Sequence, residues 1–246
     1  MPWQASGSID ALASATAASG SAKADIYSGY GAYGLYSSSI GAGASITNSG
    51  VISGAIDVAA TATGETASAG IEYIDYSGSI DALASATAAS GSAKADIYSG
   101  YGAYGLYSSS MGAGASITNS GVISGAIDVS ATANGETASA GIEYIDYAYG
   151  IYNSGSMGAG ASIDNSGTIR GVIDAAATAT ATAGNANATV SEAYDAYGLY
   201  IGSDVDAGAS ITNSGDITGS IDVALSATAT GASGAAWILM FMTHTA

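Results

Sequence analysis

Residues 7–77 return almost letter for letter as residues 78–148, at an offset of 71 with four differences: Ile40/Met111, Ala59/Ser130, Thr63/Asn134 and Ser77/Ala148. A chain that repeats itself at this length builds an array, in which each unit buries its apolar face only against its neighbours. Inside the repeat a shorter unit occurs four times. It reads AYGLYSSSIGAGASITNSGVISGAID at 32–57, with close variants at 103–128, 148–174 and 196–222.

Alternation gives the local structure. In the stretch from Ile56 to Thr63, positions 56, 58, 60 and 62 are Ile, Val, Ala and Ala, while 57, 59, 61 and 63 are Asp, Ala, Thr and Thr. A period of two places the first set on one face of a strand and the second on the other. The stretch from Ile173 to Thr182 alternates in the same way. Alanine alone favours helix. The interleaved β-branched threonines oppose that, and no apolar stripe at helical spacing competes. These stretches are predicted to be strands.

The element Gly-x-Ile-Asp sets the coil length. Its Ile falls at 9, 56, 80, 127, 173 and 221, at spacings of 47, 24, 47, 46 and 48. Each spacing is one or two multiples of 23–24, and 71 is three. We therefore expect an all-β parallel β-helix (β-solenoid) of about ten coils, stacked at about 4.8 Å into a rod of about 50 Å. The inward row should hold Ile9, Ile56, Ile80, Ile127, Ile173 and Ile221, with each following Asp exposed. Asn-Ser-Gly at 48–50, 119–121, 165–167 and 213–215 supplies corners, where Asn and Gly tolerate positive φ.

Composition agrees with a narrow interior. The chain has 36 Gly but only one Phe, two Trp and five Met, and small side chains let backbones approach closely. Twenty Asp and Glu face only Lys23, Lys94 and Arg170, for a net charge of −17. Nucleic-acid binding requires Lys and Arg against phosphates, so it is excluded as a function class, and anionic membrane surfaces are disfavoured on the same ground. Without cysteine there is no disulfide or thiolate-metal framework. The longest bulky apolar run, Trp237 to Met242, falls short of the roughly 18 residues of a spanning helix, so no direct membrane insertion is expected.

The string Ile-Thr-Asn-Ser-Gly-x-Ile-x-Gly, with Ala-Tyr-Gly-Leu-Tyr upstream, resembles the repeats of bacterial autotransporter passenger domains of type V secretion. The resemblance covers most of residues 7–234 and marks the scaffold rather than an activity. It implies a right-handed β-helix at the bacterial cell surface or outside the cell, often an adhesin. Its partners would be host or neighbouring-cell surfaces, glycans or matrix. Neither that family's signal peptide nor its translocator barrel is visible in these residues, so we expect a piece of a longer surface protein or an orphan fragment. Residues 1–6 read as a lead-in, 7–234 as one array (149–234 divergent), and 235–246 as an apolar tail or cap. The array starts within a repeat unit, so end-to-end self-association through the N-terminal coil is expected, worsened by loss of residues 237–246.

Side chains able to carry chemistry are few and scattered. His244, the single histidine, reads as a frayed terminal residue. Lys23 and Lys94 occupy one repeat position three coils apart, about 14 Å along the axis, too far to converge. Arg170 replaces Ser53 and Ser124 and reads as an exposed outward residue. The acid pairs Glu72/Asp75 and Glu143/Asp146 recur by duplication, with nothing to indicate the cleft a glycosidase places between two carboxylates. We therefore expect no catalytic residue, no cofactor and no metal-ligating set.

Three outward series remain. Asp10, Asp57, Asp81, Asp128, Asp174 and Asp222 form an acidic series, read as a solvated face that resists edge association. Weak calcium bridging between adjacent coils is the sharper alternative, weakened because most of these residues would lie two coils apart. Thr-x-Thr pairs at Thr61/Thr63, Thr178/Thr180/Thr182 and Thr228/Thr230, with variants at Ser14/Thr16, Ser85/Thr87 and Thr132/Asn134, suggest an ice-binding face. The objection is that the pair would recur only on every second coil. The 17 tyrosines read as stacked rows, with a sugar- or protein-binding strip as the alternative. The function expected is a non-catalytic structural or adhesive β-helix segment, with an ice-binding solenoid and then a carbohydrate-active enzyme as alternatives.

Overall fold

The computed structural model describes residues 9–242 apart from 33, 78, 99–101, 232 and 233. The first circuit runs through β1 (Ile9–Thr16), β2 (Ser21–Ala32), β3 (Leu35–Ser37), β4 (Ser45–Asn48) and β5 (Val51–Ile52). The second has only β6 (Ala55–Gly64) and β7 (Thr66–Ser77). The third comprises β8 (Ser79–Ala88), β9 (Ser92–Tyr98), β10 (Ala103–Ser108) and β11 (Ser116–Asn119), and the long β12 (Val122–Gly135) closes it and opens the fourth. That one continues through β13 (Thr137–Ile145), β14 (Ala148–Asn153), β15 (Ser162–Asn165) and β16 (Thr168–Ala181). Next come β17 (Ala186–Ala193), β18 (Ala196–Ile201), β19 (Ser210–Asn213) and β20 (Asp216–Ala229), and β21 (Ala236–Met242) ends the described chain. Every pairing is parallel, and the Ala-rich runs are strands. The molecule is an all-β parallel solenoid.

Units of the expected length are present, but they do not stack in one column. Ile9 pairs with Ile56, Ile56 with Ile80, Ile80 with Ile127, Ile127 with Ile173 and Ile173 with Ile221. A full circuit thus takes two units of sequence, and it visits two lobes. The first lobe has six rungs, made by β1-β6-β8-β12-β16-β20 on one sheet and β2-β7-β9-β13-β17-β21 on another. The second lobe has four rungs: β3-β10-β14-β18 on that second sheet, β4-β11-β15-β19 on a third, and β5 with the leading residues of β12, β16 and β20. The second circuit, from Ile56 to Ile80, takes only one unit and skips this lobe, so Leu35 lies directly against Leu106. Six rungs make a body about 30 Å tall, not a rod of about 50 Å.

The two lobes have separate cores. In the first, Ile56, Val58, Ala60 and Ala62 are buried and Asp57 and Thr63 face out, as alternation predicts. Ile80, Ile127 and Ile173 are buried, whereas Ile221, on the last rung of its sheet, is only partly so. The side chain of Ile9 lies outside the described part. Alanine dominates this core, so its two sheets lie close together. The second lobe is filled by larger side chains, including Ile40, Leu106, Met111, Ile117 and Ile163.

Glycine makes the waist between them. A Cβ on Gly105 would lie 2.7 Å from the Gly150 carbonyl oxygen and 2.8 Å from the Ser124 backbone. One on Gly171 would overlap the carbonyl oxygens of Ala148 and Tyr197. The first and second sheets therefore meet backbone to backbone, and only hydrogen fits between them.

The corners of the second lobe differ from expectation. Positive φ is found at Gly43, Gly114, Gly160 and Gly208, before the Ala-Ser-Ile strand, and not at the Asn-Ser-Gly glycines. Those glycines are needed because a Cβ on Gly121 or Gly167 would overlap the carbonyl of the rung below. The asparagines form a ladder: Asn48 Nδ2 donates to Asn119 Oδ1 (2.8 Å), Asn119 to Asn165 (2.7 Å) and Asn165 to Asn213 (2.8 Å). Each also closes its own turn, as when Gly50 N donates to Asn48 Oδ1. The run from Trp237 to Met242, expected as a tail or cap, lies in β21 and pairs in parallel with β17, leaving Trp237, Ile238 and Leu239 exposed.

Candidate functional site: a tyrosine-lined groove at the waist

Where the second sheet crosses from one lobe to the other, the repeated Ala-Tyr-Gly-Leu/Ile-Tyr stacks in register. Tyr104 pairs with Tyr149 and Tyr149 with Tyr197, while Tyr36, Tyr107, Tyr152 and Tyr200 form the parallel file. The glycine between the two tyrosines sits at the waist, so both rings turn outward on the same side. Ring centroids are 5.3 and 5.4 Å apart in the first file and 5.0–5.5 Å apart in the second, close to parallel throughout. The files touch each other edge to face, as at Tyr104 and Tyr107 (5.6 Å). Offset stacking and T-shaped contact are the favoured aromatic geometries. The stacked reading of the tyrosines thus fits, and the same rings also line a groove of about 480 Å³.

Carboxylates stand at this groove. Asp146 and Asp195 line it, and Tyr197 Oη donates to Asp195 Oδ2 at 3.0 Å. Asp195 is only 7% exposed. The approach is shaped by two residues in the left-handed region, Tyr144 (φ 55°) and Glu192 (φ 54°). They occupy the same register position, between the pairs Glu143/Ser191 and Ile145/Ala193. Non-glycine residues rarely adopt this conformation, and held outliers cluster at functional sites. Here the distortion keeps Ile145 and Ala193 buried while turning the next residues, Asp146-Tyr147 and Tyr194-Asp195, toward the groove. Tyr194 Oη donates to Glu192 Oε2 at 2.9 Å.

The electrostatics keep these phenols protonated. Burial, followed by its tyrosine neighbours, pushes Tyr149 far above the usual phenol range. Tyr197 is raised by burial and by its bond to Asp195, and Tyr194 chiefly by its bond to Glu192. The groove therefore presents hydroxyl groups and acids across the physiological range.

The other sequence candidates are placed as follows. Lys23 and Lys94 flank Ser68 on the rungs below and above it, two rungs apart rather than three. Each is ion-paired to its own neighbour, Lys23 to Asp25 (2.6 Å) and Lys94 to Asp96, which raises the Lys94 pKa. They border a notch of about 290 Å³ over Gly70, with Glu72 and Tyr98 at its edge. Arg170 is exposed and donates from Nε to Ser124 Oγ at 3.1 Å. His244 and the side chain of Asp75 lie outside the described residues.

The Asp and Thr series are closer together than expected. Asp57, Asp81, Asp128, Asp174 and Asp222 lie on consecutive rungs, not on every second one. Burial, then the neighbouring carboxylates, raises the pKa of Asp81 and Asp128. Among the described residues no three carboxylates or histidines gather to hold a metal ion. The hydroxyl pairs Ser14/Thr16, Thr61/Thr63, Ser85/Thr87, Thr132/Asn134, Thr178/Thr180 and Ser226/Thr228 likewise occupy every rung. The objection of alternate spacing falls, because the intervening half-circuits belong to the other lobe.

Sequence reasoning missed Glu192 and Asp195. The available signal was an acid just before each divergent Ala-Tyr-Gly, in Asp146-Tyr147-Ala148 and Asp195-Ala196-Tyr197. The chain matches no family model, no curated protein and no solved structure.

Proposed function

We propose that this chain is a non-catalytic structural and adhesive segment of a bacterial surface or secreted protein, acting outside the cell. The observation that carries this is the pair of tyrosine files in the waist groove. They offer the same contact chemistry at each successive rung, which suits a partner engaged over a length of surface rather than a substrate held at one atom. Tyrosine gives large contact area at low entropic cost. The resemblance of the repeats to autotransporter passenger domains supports the same reading.

The test is adhesion. Beads carrying the chain should be retained on host or neighbouring bacterial cells, or on matrix, above beads carrying an unrelated acidic protein. Replacing Tyr147 and Tyr200 with Ser should reduce retention. Equal retention of the chain and the acidic control would overturn the proposal.

A second reading, ice binding, is favoured by the hydroxyl pairs on every rung of the first sheet. Two rows about 6–7 Å apart, repeating at about 4.8 Å, make a regular lattice of hydroxyl and methyl groups. Thermal hysteresis should then appear and be lost in Thr132→Lys/Thr178→Lys. Its absence in the unaltered chain removes this reading.

A further inference from the structure

The groove's chemistry selects its ligand more narrowly than adhesion alone requires. Its lining is tyrosine and aspartate, with no Lys or Arg among the described lining residues, in a chain of net charge −17. Anionic ligands such as sulfated glycans or phosphates are repelled. A neutral sugar would seek a flat aromatic face, yet within each file the ring faces are covered by the next tyrosine. The acceptors that remain are hydroxyl oxygens and the carboxylates of Asp146 and Asp195. Two ring faces differ. β18 is the edge strand of its sheet, so Tyr197 and Tyr200 end their files without a further tyrosine above them.

We propose that the waist groove seats an arginine-bearing basic peptide segment of a partner protein. A guanidinium bonds to Asp195 and Asp146 and stacks on the terminal rings of Tyr197 and Tyr200. Arginine suits this site for two reasons: its planar fork matches a carboxylate, and its face stacks on an aromatic ring. Lysine offers the charge without the planar face. The paired distortions at Tyr144 and Glu192 turn the acid-bearing segments toward the groove on two successive rungs. They are an observation independent of the carboxylates themselves. The proposal rests on the adhesive reading and names the chemistry of the partner.

The test uses the full chain and a fluorescein-labelled decapeptide of Arg, Gly and Ser, followed by anisotropy at physiological ionic strength. Saturable binding is expected, weaker for the Lys counterpart and absent for an uncharged Gly/Ser peptide. Asp146→Asn with Asp195→Asn should weaken it about tenfold or more, whereas Asp57→Asn with Asp128→Asn, an equal charge change on the first sheet, should cost about twofold at most. Should the groove pair disturb folding by circular dichroism, Tyr200→Ser gives the same discrimination, weakening the Arg peptide more than the Lys peptide. Equal losses from both aspartate pairs would mean that the field of the whole molecule holds the peptide, and would overturn the groove. Absence of saturable binding, or equal affinity for the Lys peptide, would do so as well. Bead adhesion that persists without peptide binding removes the groove proposal alone. Peptide binding without adhesion removes the surface reading alone.

Discussion

At the scale of single residues, glycine serves two different ends in this chain, and substitution separates them. Gly171 is at the waist, where a Cβ overlaps two carbonyl oxygens across the sheets. Gly160 has φ of +69° with nothing within 4 Å of its Cβ. Gly171→Ala must push the sheets apart and should cost about 2–4 kcal/mol in urea unfolding, in the range of overpacked or strained cores. Gly160→Ala meets only the left-handed backbone penalty, about 1–2 kcal/mol. Equal costs would mean that the sheets at the waist can part without resistance. Sequence counting could show that glycine is abundant but not which glycine lies between two backbones. The asparagines were legible as corner residues for the same local reason, whereas their ladder depends on which rungs meet.

At the scale of the strand, the row of aspartates makes a pH prediction. In the folded chain Asp81 and Asp128 are raised by burial and by their neighbours along the rank. A carboxyl whose folded pKa exceeds its unfolded value of about 3.9 favours the fold when protonated. Stability should therefore rise as pH falls from neutral through the raised values, with the gain complete below the unfolded value, and be lost again as pH rises. Thermal melts between pH 7 and pH 4 should show this rise, and Asp81→Asn with Asp128→Asn should lift the pH 7 melting temperature and flatten the slope. A melting temperature that falls steadily on acidification would contradict it. The strands themselves were legible because alternation is local. Their stacking was not, because half-circuits of the two lobes have nearly the same length, so spacings near 24 and 47 look like one and two turns of a single coil. The discriminating clue was that Asn-Ser-Gly never recurs at the short spacing, while Gly-x-Ile-Asp does so once, from Ile56 to Ile80.

At the scale of the whole molecule, the long repeat that begins at Gly7 and again at Gly78 is three half-circuits, an odd number. Joining two copies places a first-lobe unit directly after another, and the second circuit is short for that reason. Excising residues 56–79 joins Gly54-Ala55 to Ile80-Asp81, restores strict alternation between lobes and leaves the motif Gly-Ala-Ile-Asp intact. The shortened chain should keep its β-type circular dichroism, melt within a few degrees of the parent, and lose about 5 Å of height by small-angle scattering. Collapse to an unfolded chain would show that the short circuit is indispensable. The ends of the second lobe also differ. Ile40 and Ile46 on its first rung are 0% and 8% exposed, whereas Val205 and Ile211 on its last are 52% and 45% exposed. Self-association, expected from the sequence at the N-terminal coil, is now predicted at this later end. Ile211→Lys should reduce it in sedimentation, by placing charge on an open edge.

The short circuit has a consequence for direction. Between the first and third circuits one lobe climbs two rungs, about 9–10 Å, while the other climbs one, about 5 Å. The first circuit must therefore tilt against the third, like a wedge inserted on one side of a stack. A protein assembled from further copies of the long repeat would add a wedge on the same side each time and grow as an arc. One assembled from full two-lobe circuits would grow straight. The length of the duplicated segment thus sets the curvature with which such a chain extends.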